Sequence, residues 1–451
     1  MKVLLTAVRK AAVFVDRWQW ALLLLAAPWL LFPAPGRTSL LLIVPGLWII
    51  AGLGRREFLP RTPLNGSLLV LAAMILISLY ATYDISVSLP KIAGLVLGLG
   101  VFFAVVRLGR DRRALKRCSL AFLVSGVGLA ALGLLGTQWL NKIAFLTPLL
   151  ARLPPVLRGL PGAESGFQPN EVAGSLLWVL PALLIVTLQQ FKDRLNRRRL
   201  ALGLSVCATM FVLGVFALTQ SRSGYIGLAV GVSTLLVIGS SPRWRRWLLI
   251  GLVILMVAAS GVLLSGSGPA VQDQLADSAL GSGVVSLDTL AGRLEVWSRA
   301  IEGIQDFPLT GMGLNTFRRV VHVLYPLFLN SPDIDLGHAH NEFLQAALDL
   351  GLPGLIAFVA LYLGAFWMVA RIWRTTESAS TEILSGRVLA LGLGGGLFAH
   401  LIYGLTDAVA LGAKPGFLFW MSLGLITGLF LQTGVSPAVV ATNDPVRPPM
   451  P

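Results

Sequence analysis

Residues 89–136, LPKIAGLVLGLGVFFAVVRLGRDRRALKRCSLAFLVSGVGLAALGLLG, decide the fold. Two apolar runs, near 89–107 and 115–136, flank a short segment, 107–117, that holds six Lys and Arg. Each run is long enough, at about 1.5 Å per helical residue, to cross about 30 Å of hydrocarbon. The pattern is that of two membrane helices joined by a basic loop. Working outward, similar runs lie near 18–34, 38–54, 65–82, 171–190, 199–219, 223–240, 246–265, 352–371, 386–406 and 416–433. The expectation is an all-α polytopic membrane protein of about twelve transmembrane helices.

Composition agrees. Hydrophobic residues make up 55% of 451, charged residues 13%, and mean hydropathy is +0.78, whereas a soluble chain is about a quarter charged. The net charge of +15 does not point to nucleic acid, because the cations sit in short loops between apolar runs. Cys118 and Cys207 both lie inside apolar runs and read as inert buried thiols, with no disulfide framework or metal motif. The basic N-terminus reads as the start of a retained first helix rather than a cleaved signal, since no small-residue cleavage site follows.

Charge also sets sidedness. With the N-terminus inside, the alternate, cytoplasmic segments hold 25 of the 36 Lys and Arg, as the positive-inside rule requires. Both termini are then cytoplasmic. The division is 1–265 with nine spans, 266–351 as a large periplasmic loop between spans nine and ten, 352–433 with three spans, and a Pro-rich disordered tail over 434–451. An extramembrane segment as long as 266–351 should carry its own helices and a function. Cations left on the outer face are informative, because topology does not require them there.

Inside that loop, residues 286–305 read as an amphipathic helix with Leu294, Trp297, Ile301 and Ile304 on one face and Glu295, Arg299 and Glu302 on the other. Pro308, Gly311 and Gly313 stop it. Arg293 falls on the apolar stripe, where an unpaired charge is costly. It therefore serves a structural ion pair, snorkels its head group to water, or binds an anion. His338-Ala339-His340-Asn341 follows, ahead of a helix that ends at Gly351. The positive end of that helix disfavours imidazolium, and a neutral imidazole can act as a general base. Structural hydrogen bonding and metal binding are the alternatives, but two His at i, i+2 without a clear carboxylate cluster make a poor zinc set. No metal and no cofactor are expected.

Other candidates share the outer face. Thr219-Gln220-Ser221-Arg222-Ser223-Gly224 forms a tight turn that holds Arg222 at the membrane surface, either snorkelling or as a bidentate phosphate ligand. Lys91 and Arg299 add further cations. Asn170 leads into span six, and Asp407 ends span eleven as a lone carboxylate that can pair with an Arg or orient a His. His400 reads as a helix-packing residue within span eleven, and His322 as a loop histidine.

The run His340-Asn341, nine residues, then Gly351-Leu352-Pro353-Gly354 resembles the signature of the O-antigen ligase family. Thr219–Gly224 resembles that family's Ser-Arg turn. Arg293-Leu294 with Trp297, then Pro308 to Gly313, is similar to its loop pattern, and Gly166 to Asn170 to its earlier polar motif. The likeness spans roughly 160–430. It implies a GT-C-type, metal-independent, inverting glycosyl transfer at the periplasmic face of the bacterial inner membrane. O-antigen would move from undecaprenyl diphosphate to a sugar hydroxyl of lipid A–core. By the same resemblance His340, or His338 beside it, is the base and Arg222 is essential, while Arg293 fits as a second diphosphate ligand. Lys91, Asn170, Arg299, Asn341 and Asp407 are further substrate-binding candidates. Membrane lipids are the other expected partner. Protein O-oligosaccharyltransferase and O-antigen polymerase are the rival enzymes. A transporter is disfavoured, because polar groups cluster at one face rather than at the bilayer midplane.

Overall fold

The computed structural model describes residues 2–55, 58–139, 146–153, 156–160, 163, 166–192, 199–265, 290–330, 335–375 and 386–434. Its helices are α1 (Lys2–Leu31), α2 (Ile43–Arg55), α3 (Asn65–Ala81), α4 (Ile85–Leu108), α5 (Arg112–Gly136), α6 (Thr147–Leu150), α7 (Pro169–Leu177) and α8 (Leu180–Lys192). After these come α9 (Arg199–Leu218), α10 (Arg222–Gly239), α11 (Pro242–Ser265), α12 (Leu290–Asp306), α13 (Phe317–Leu324), α14 (Glu342–Thr375), α15 (Gly386–Gly404) and α16 (Phe417–Gln432). Among the described residues there is no strand, only two isolated bridges. The expected tail and residues 266–289 of the large loop lie outside the described residues.

Among the described residues, seven helices are long and apolar enough to cross a membrane: α4, α5, α9, α10, α14, α15, and α16 with the turn before it. The pair α7 and α8, bent by 46°, makes an eighth if taken as one broken span. Trp18–Leu31, Gly36–Gly52 and Asn65–Ala81 are shorter apolar helices at three of the other four expected positions, and α11 occupies the fourth.

Local chemistry starts several of these helices. Asp84 caps α4 by accepting from the Ser86 N–H, and Asp111 caps α5 by accepting from the N–H groups of Arg113 and Ala114. Lipid tails are as apolar as leucine, so close backbone approach, rather than water exclusion, holds such helices together. Gly227 and Gly231, four apart on α10, provide it against α15. A Cβ at Gly227 would lie 2.6 Å from the Ala399 carbonyl oxygen, and one at Gly231 2.7 Å from the Ala399 Cβ.

A main core runs through α3, α4, α5 and α7 to α10 and on into α14, α15 and α16. A separate small core (Val296, Ala300, Met312, Phe317, Val321, Leu336, Ala339 and Leu348 among others) knits α12 and α13 to the start of α14. It corrects the reading of α12. The buried stripe runs through Val296 and Ala300, while Leu294 and Ile301 are exposed. Glu295, expected on the polar face, is buried, and its carboxylate accepts from the backbone N–H groups of Phe328, Leu329 and Asn330. The wheel was set by residue type, and three N–H donors in a following loop reward a carboxylate on the packed side.

Five junctions meet at one end of the bundle. Thr82 bonds Thr316 at 3.0 Å, and Ser88 donates to the Leu314 carbonyl at 2.6 Å. Asn315 donates through its side chain to the Val87 carbonyl and through its N–H to Asp349. Asn341 reaches the Leu405 carbonyl, and Thr406 reaches Ser223. The turns after α3, α9, α12 and α15 and the segment before α14 therefore form one polar floor.

Candidate active site

Helix α14 begins after Asn341, whose side-chain oxygen accepts from the N–H groups of Phe343 (2.9 Å) and Leu344 (3.0 Å), the bonds of an N-cap. The same side chain donates to the Leu405 carbonyl at 2.9 Å, just past the end of α15. The preceding loop is pinned from below. Gln345 accepts from the Ala339 N–H at 2.8 Å and donates to Asp349 at 2.9 Å. His340 then takes φ = 49°, a left-handed conformation that costs a non-glycine residue about 1–2 kcal/mol. Two hydrogen bonds hold it there: its N–H donates to His338 Nδ1 at 3.1 Å, and its carbonyl accepts from Trp297 Nε1 at 3.2 Å.

This turn brings both rings onto one carboxylate. His340 Nδ1 lies 3.4 Å from Asp407 Oδ1, and His338 Nε2 lies 3.8 Å from the same oxygen. The rings meet edge to face with centroids 4.5 Å apart. Asp407 is fully buried. Its Oδ1 also accepts from the Ala408 N–H at 3.0 Å, and its Oδ2 faces the Arg293 guanidinium at 3.4 Å. Arg293 donates a second bond, 2.8 Å, to the Thr406 carbonyl. The cation on the apolar stripe of α12 has thus found its partner, as the burial argument demanded.

Proton positions follow from these contacts. His338 Nδ1 accepts a backbone N–H, so a neutral His338 carries its proton on Nε2, toward Asp407, and has no free lone pair. His340 Nδ1 is buried and, among the described residues, has no hydrogen-bonding partner besides its contact with Asp407. Nδ1 faces the Asp407 carboxylate, an acceptor, so in the neutral ring Nδ1 carries the proton and the lone pair is on Nε2. Burial, then the His340 ring, outweigh the pull of Asp407 and, with the charges of Lys91 and Arg293, push the His338 imidazole down to about 3. Burial alone would push the Asp407 carboxyl up. The hydrogen bond from His340, the Arg293 charge and the His338 ring outweigh it and hold the carboxyl well below the usual carboxylate range.

His338, His340 and Asp407 offer three ligand atoms within 4.8 Å of one another, close enough for a metal ion. The donor chemistry fits one poorly. A metal on His338 Nε2 would have to displace the proton placed there by the His340 N–H→Nδ1 bond, and Arg293 already occupies the other carboxylate oxygen.

The remaining candidates divide. Lys91, on α4, lies within electrostatic reach of His338 and Asp349. Arg222 opens α10 as an exposed residue after Ser221, which caps the helix, and Gln220, at φ = 51°. Its neighbour Ser223 bonds Thr406, whose carbonyl holds Arg293. Asn170 opens α7, and its carbonyl accepts from Tyr403 at 2.8 Å. Arg299 is turned elsewhere, paired with Glu302 at 2.8 Å and stacked on Phe328, and no contact joins it to the His–Asp cluster. Gln345, Asp349, Thr406 and Glu342 escaped the sequence reading. A sequence signal existed for Glu342: a histidine within a span needs a partner, and Glu342 supplies it.

Comparison with known proteins adds the family. The O-antigen ligase family model matches residues 206–359, from α9 through the Ser221-Arg222 turn, Arg293 and His340 into α14. Over this stretch, about a third of its length, the chain is similar to the O-antigen ligase family. Asp407, Lys91 and Asn170 lie outside the matched residues. An uncharacterized protein of Haemophilus influenzae is 23% identical over 164 residues, 35% of this chain and 40% of that protein. The match thus spans less than half of the relative.

Proposed function

We propose that this protein is an O-antigen ligase, a metal-independent, inverting GT-C-type glycosyltransferase. It moves O-antigen from undecaprenyl diphosphate to a sugar hydroxyl of lipid A–core. The observation that carries this reading is the left-handed turn at His340. That turn sets Nδ1 against one oxygen of the buried Asp407, whose other oxygen faces Arg293, and leaves Nε2 as the lone-pair nitrogen of the neutral ring. His340 is then the general base, and His338 orients it. As base, Nε2 takes the proton of the attacking hydroxyl. The oxygen attacks the anomeric carbon from the face opposite the diphosphate, and the glycosidic oxygen leaves with its electron pair on the diphosphate. Arg222 and Arg293, with Lys91 at longer range, neutralise that leaving group, so no general acid is needed.

The same reading has twelve spans, cytoplasmic termini and a periplasmic site. The turns that gather around His340 are all turns that the positive-inside count puts outside, which supports it.

The test is transfer by the purified protein in nanodiscs. It is supplied with lipid-linked glycan and one of three acceptors: lipid A–core, a protein, or a second lipid-linked glycan. Transfer to lipid A–core that persists in EDTA and is abolished by His340→Ala is expected. Transfer only to protein or to lipid-linked glycan would replace the ligase with an oligosaccharyltransferase or a polymerase. Loss in EDTA restored by a divalent ion would replace the base mechanism.

A further inference from the structure

Glu342 and His400 form a buried ionisable pair directly beneath the His340 loop. Their side chains are 3% and 0% exposed, and His400 Nε2 lies 3.1 Å from Glu342 Oε2. His400 sits in α15, and Glu342 is the first residue of α14. Ionisable groups at such depth are expensive, and their presence calls for a reason. On the far side of its ring, His400 Nδ1 lies 2.9 Å from the Gly174 carbonyl of α7. Trp178 covers the ring at a centroid distance of 4.2 Å.

A carbonyl only accepts, so Nδ1 carries a proton. The Nε2···Oε contact then needs one more proton between two groups that would otherwise both be acceptors. The pair holds that single proton and is neutral as a unit, so its burial carries no net charge. Geometry around the pair is tight. A Cβ at Gly404 would lie 2.6 Å from Glu342 Oε2.

Three successive residues of one segment are thus tied to one helix end: Glu342 to His400, Asn341 to the Leu405 carbonyl, and His340 to Asp407. His400 extends the tie to α7, whose first turn holds Asn170 through Tyr403. We propose that Glu342 and His400 are positioning residues for the transfer reaction. The hydrogen bond between them locks the start of α14 to α15 and α7, and so fixes His340 relative to Asp407. This rests on the reading of His340 as the base.

Glu342→Ala and Glu342→Gln separate the possibilities. An amide N–H of Gln donates to Nε2 and keeps Nδ1 on Gly174, whereas Ala leaves Nε2 without a partner. Misplacing a base by about 1 Å costs up to about 100-fold, so Glu342→Ala is expected to lower kcat by about 30-fold with donor KM unchanged, and Glu342→Gln to recover to within about threefold of the parent. Glu342→Ala at parental kcat would overturn the proposal. So would Glu342→Gln as impaired as Glu342→Ala, which would make the carboxyl's charge or proton, not the bond, the functional element. A second measurement needs no activity: carbethoxylation of His340 by diethyl pyrocarbonate, read by mass spectrometry. The rate is expected to change in Glu342→Ala and to stay parental in Glu342→Gln; equal rates in all three would overturn the clamp. If the parent transfers glycan to no acceptor, the functional reading fails, and the labelling still decides the clamp. If Glu342→Ala does not insert, Gly404→Ala, which pushes the carboxylate off His400, takes its place in both measurements.

Discussion

Replacing Asp407 with Asn changes one oxygen to an amide nitrogen and breaks a count of donors and acceptors that the structure makes strict. Oδ1 faces three donors, the Ala408 N–H, His340 Nδ1 and His338 Nε2, and Oδ2 faces the Arg293 guanidinium. Only a carboxylate accepts on both sides. If the Asn oxygen stays toward the histidines, its NH2 meets Arg293 donor to donor. If it turns, its NH2 meets the Ala408 N–H and donates to His340 Nδ1, which moves the imidazole proton to Nε2 and removes the basic lone pair. A charge-assisted hydrogen bond contributes about 1.5–3 kcal/mol, and an opposed buried donor costs about 1–3 kcal/mol. The active tautomer with Arg293 in place is therefore disfavoured by about 3–6 kcal/mol, or about 10²–10⁴ in kcat. The assay is initial-rate transfer in nanodiscs, with size-exclusion elution and helical content matched to the parent. Asp407→Asn that folds and keeps more than about a tenth of the parental kcat would refute the reasoning, because some other group would then be setting the His340 tautomer.

Arg293→Lys replaces a planar fork by a point charge that cannot reach the Thr406 carbonyl and Asp407 together, so activity should fall by about 10–100-fold; transfer kinetics at parental level would show that charge alone suffices. At Gly351 the backbone of α14 adopts φ = 68° and ψ = 177°, and a Cβ there would lie 2.5 Å from the Leu309 carbonyl oxygen. Gly351→Ala should lower stability by about 2 kcal/mol or more, seen as an earlier thermal midpoint; an unchanged midpoint would show that the break relaxes freely. Protonating His338 on Nδ1 would break the bond that holds the His340 turn. Its value is lowered in the folded state to about 3 from an ordinary 6.5, so below about 6.5 the unfolded chain takes a proton that the folded chain refuses, and stability falls with pH. Between pH 6.5 and 4.5, above the range where Asp407 titrates, the parent's thermal midpoint should fall more than that of His338→Asn; parallel curves would refute the link.

Much of the fold was legible in the sequence because membrane helices announce themselves by length and apolarity. The broken span was less so. Residues 171–190 read as one continuous apolar run, whereas the structure bends by 46° between α7 and α8, where Trp178 lies against His400. Arg293 was legible through an energetic contradiction, a charge on an apolar stripe, and Asp407 through its isolation. The order of the two histidines was not. His338 and His340 differ in setting through the left-handed turn at His340 and the direction of one N–H, neither of which a spacing of two residues encodes. Glu295 and Arg299 show the reverse. Their place on a helical wheel says nothing of the loop N–H groups or the Phe328 ring that meet them.

The site sits where one helix ends and another begins, and the reason is electrostatic. α15 ends at Gly404, and carbonyls beyond a helix C-terminus lack intrahelical donors and carry partial negative charge. Those of Leu405 and Thr406 take Asn341 and Arg293. α14 begins at Glu342 with its N–H groups capped by Asn341, and a carboxyl in a first turn suits that positive end. The negative end of one helix therefore draws in the cation, and the positive end of the other draws in the cap and the acid. His340 occupies the gap between them. A base in a left-handed turn on a free loop would sample many orientations. Here the residues on both sides of it are fixed to rigid helices, so the strain at His340 is held by bonds that do not depend on substrate. By that logic a substitution that loosens either helix end should cost turnover before it costs donor binding, and the two are separable in the same transfer assay.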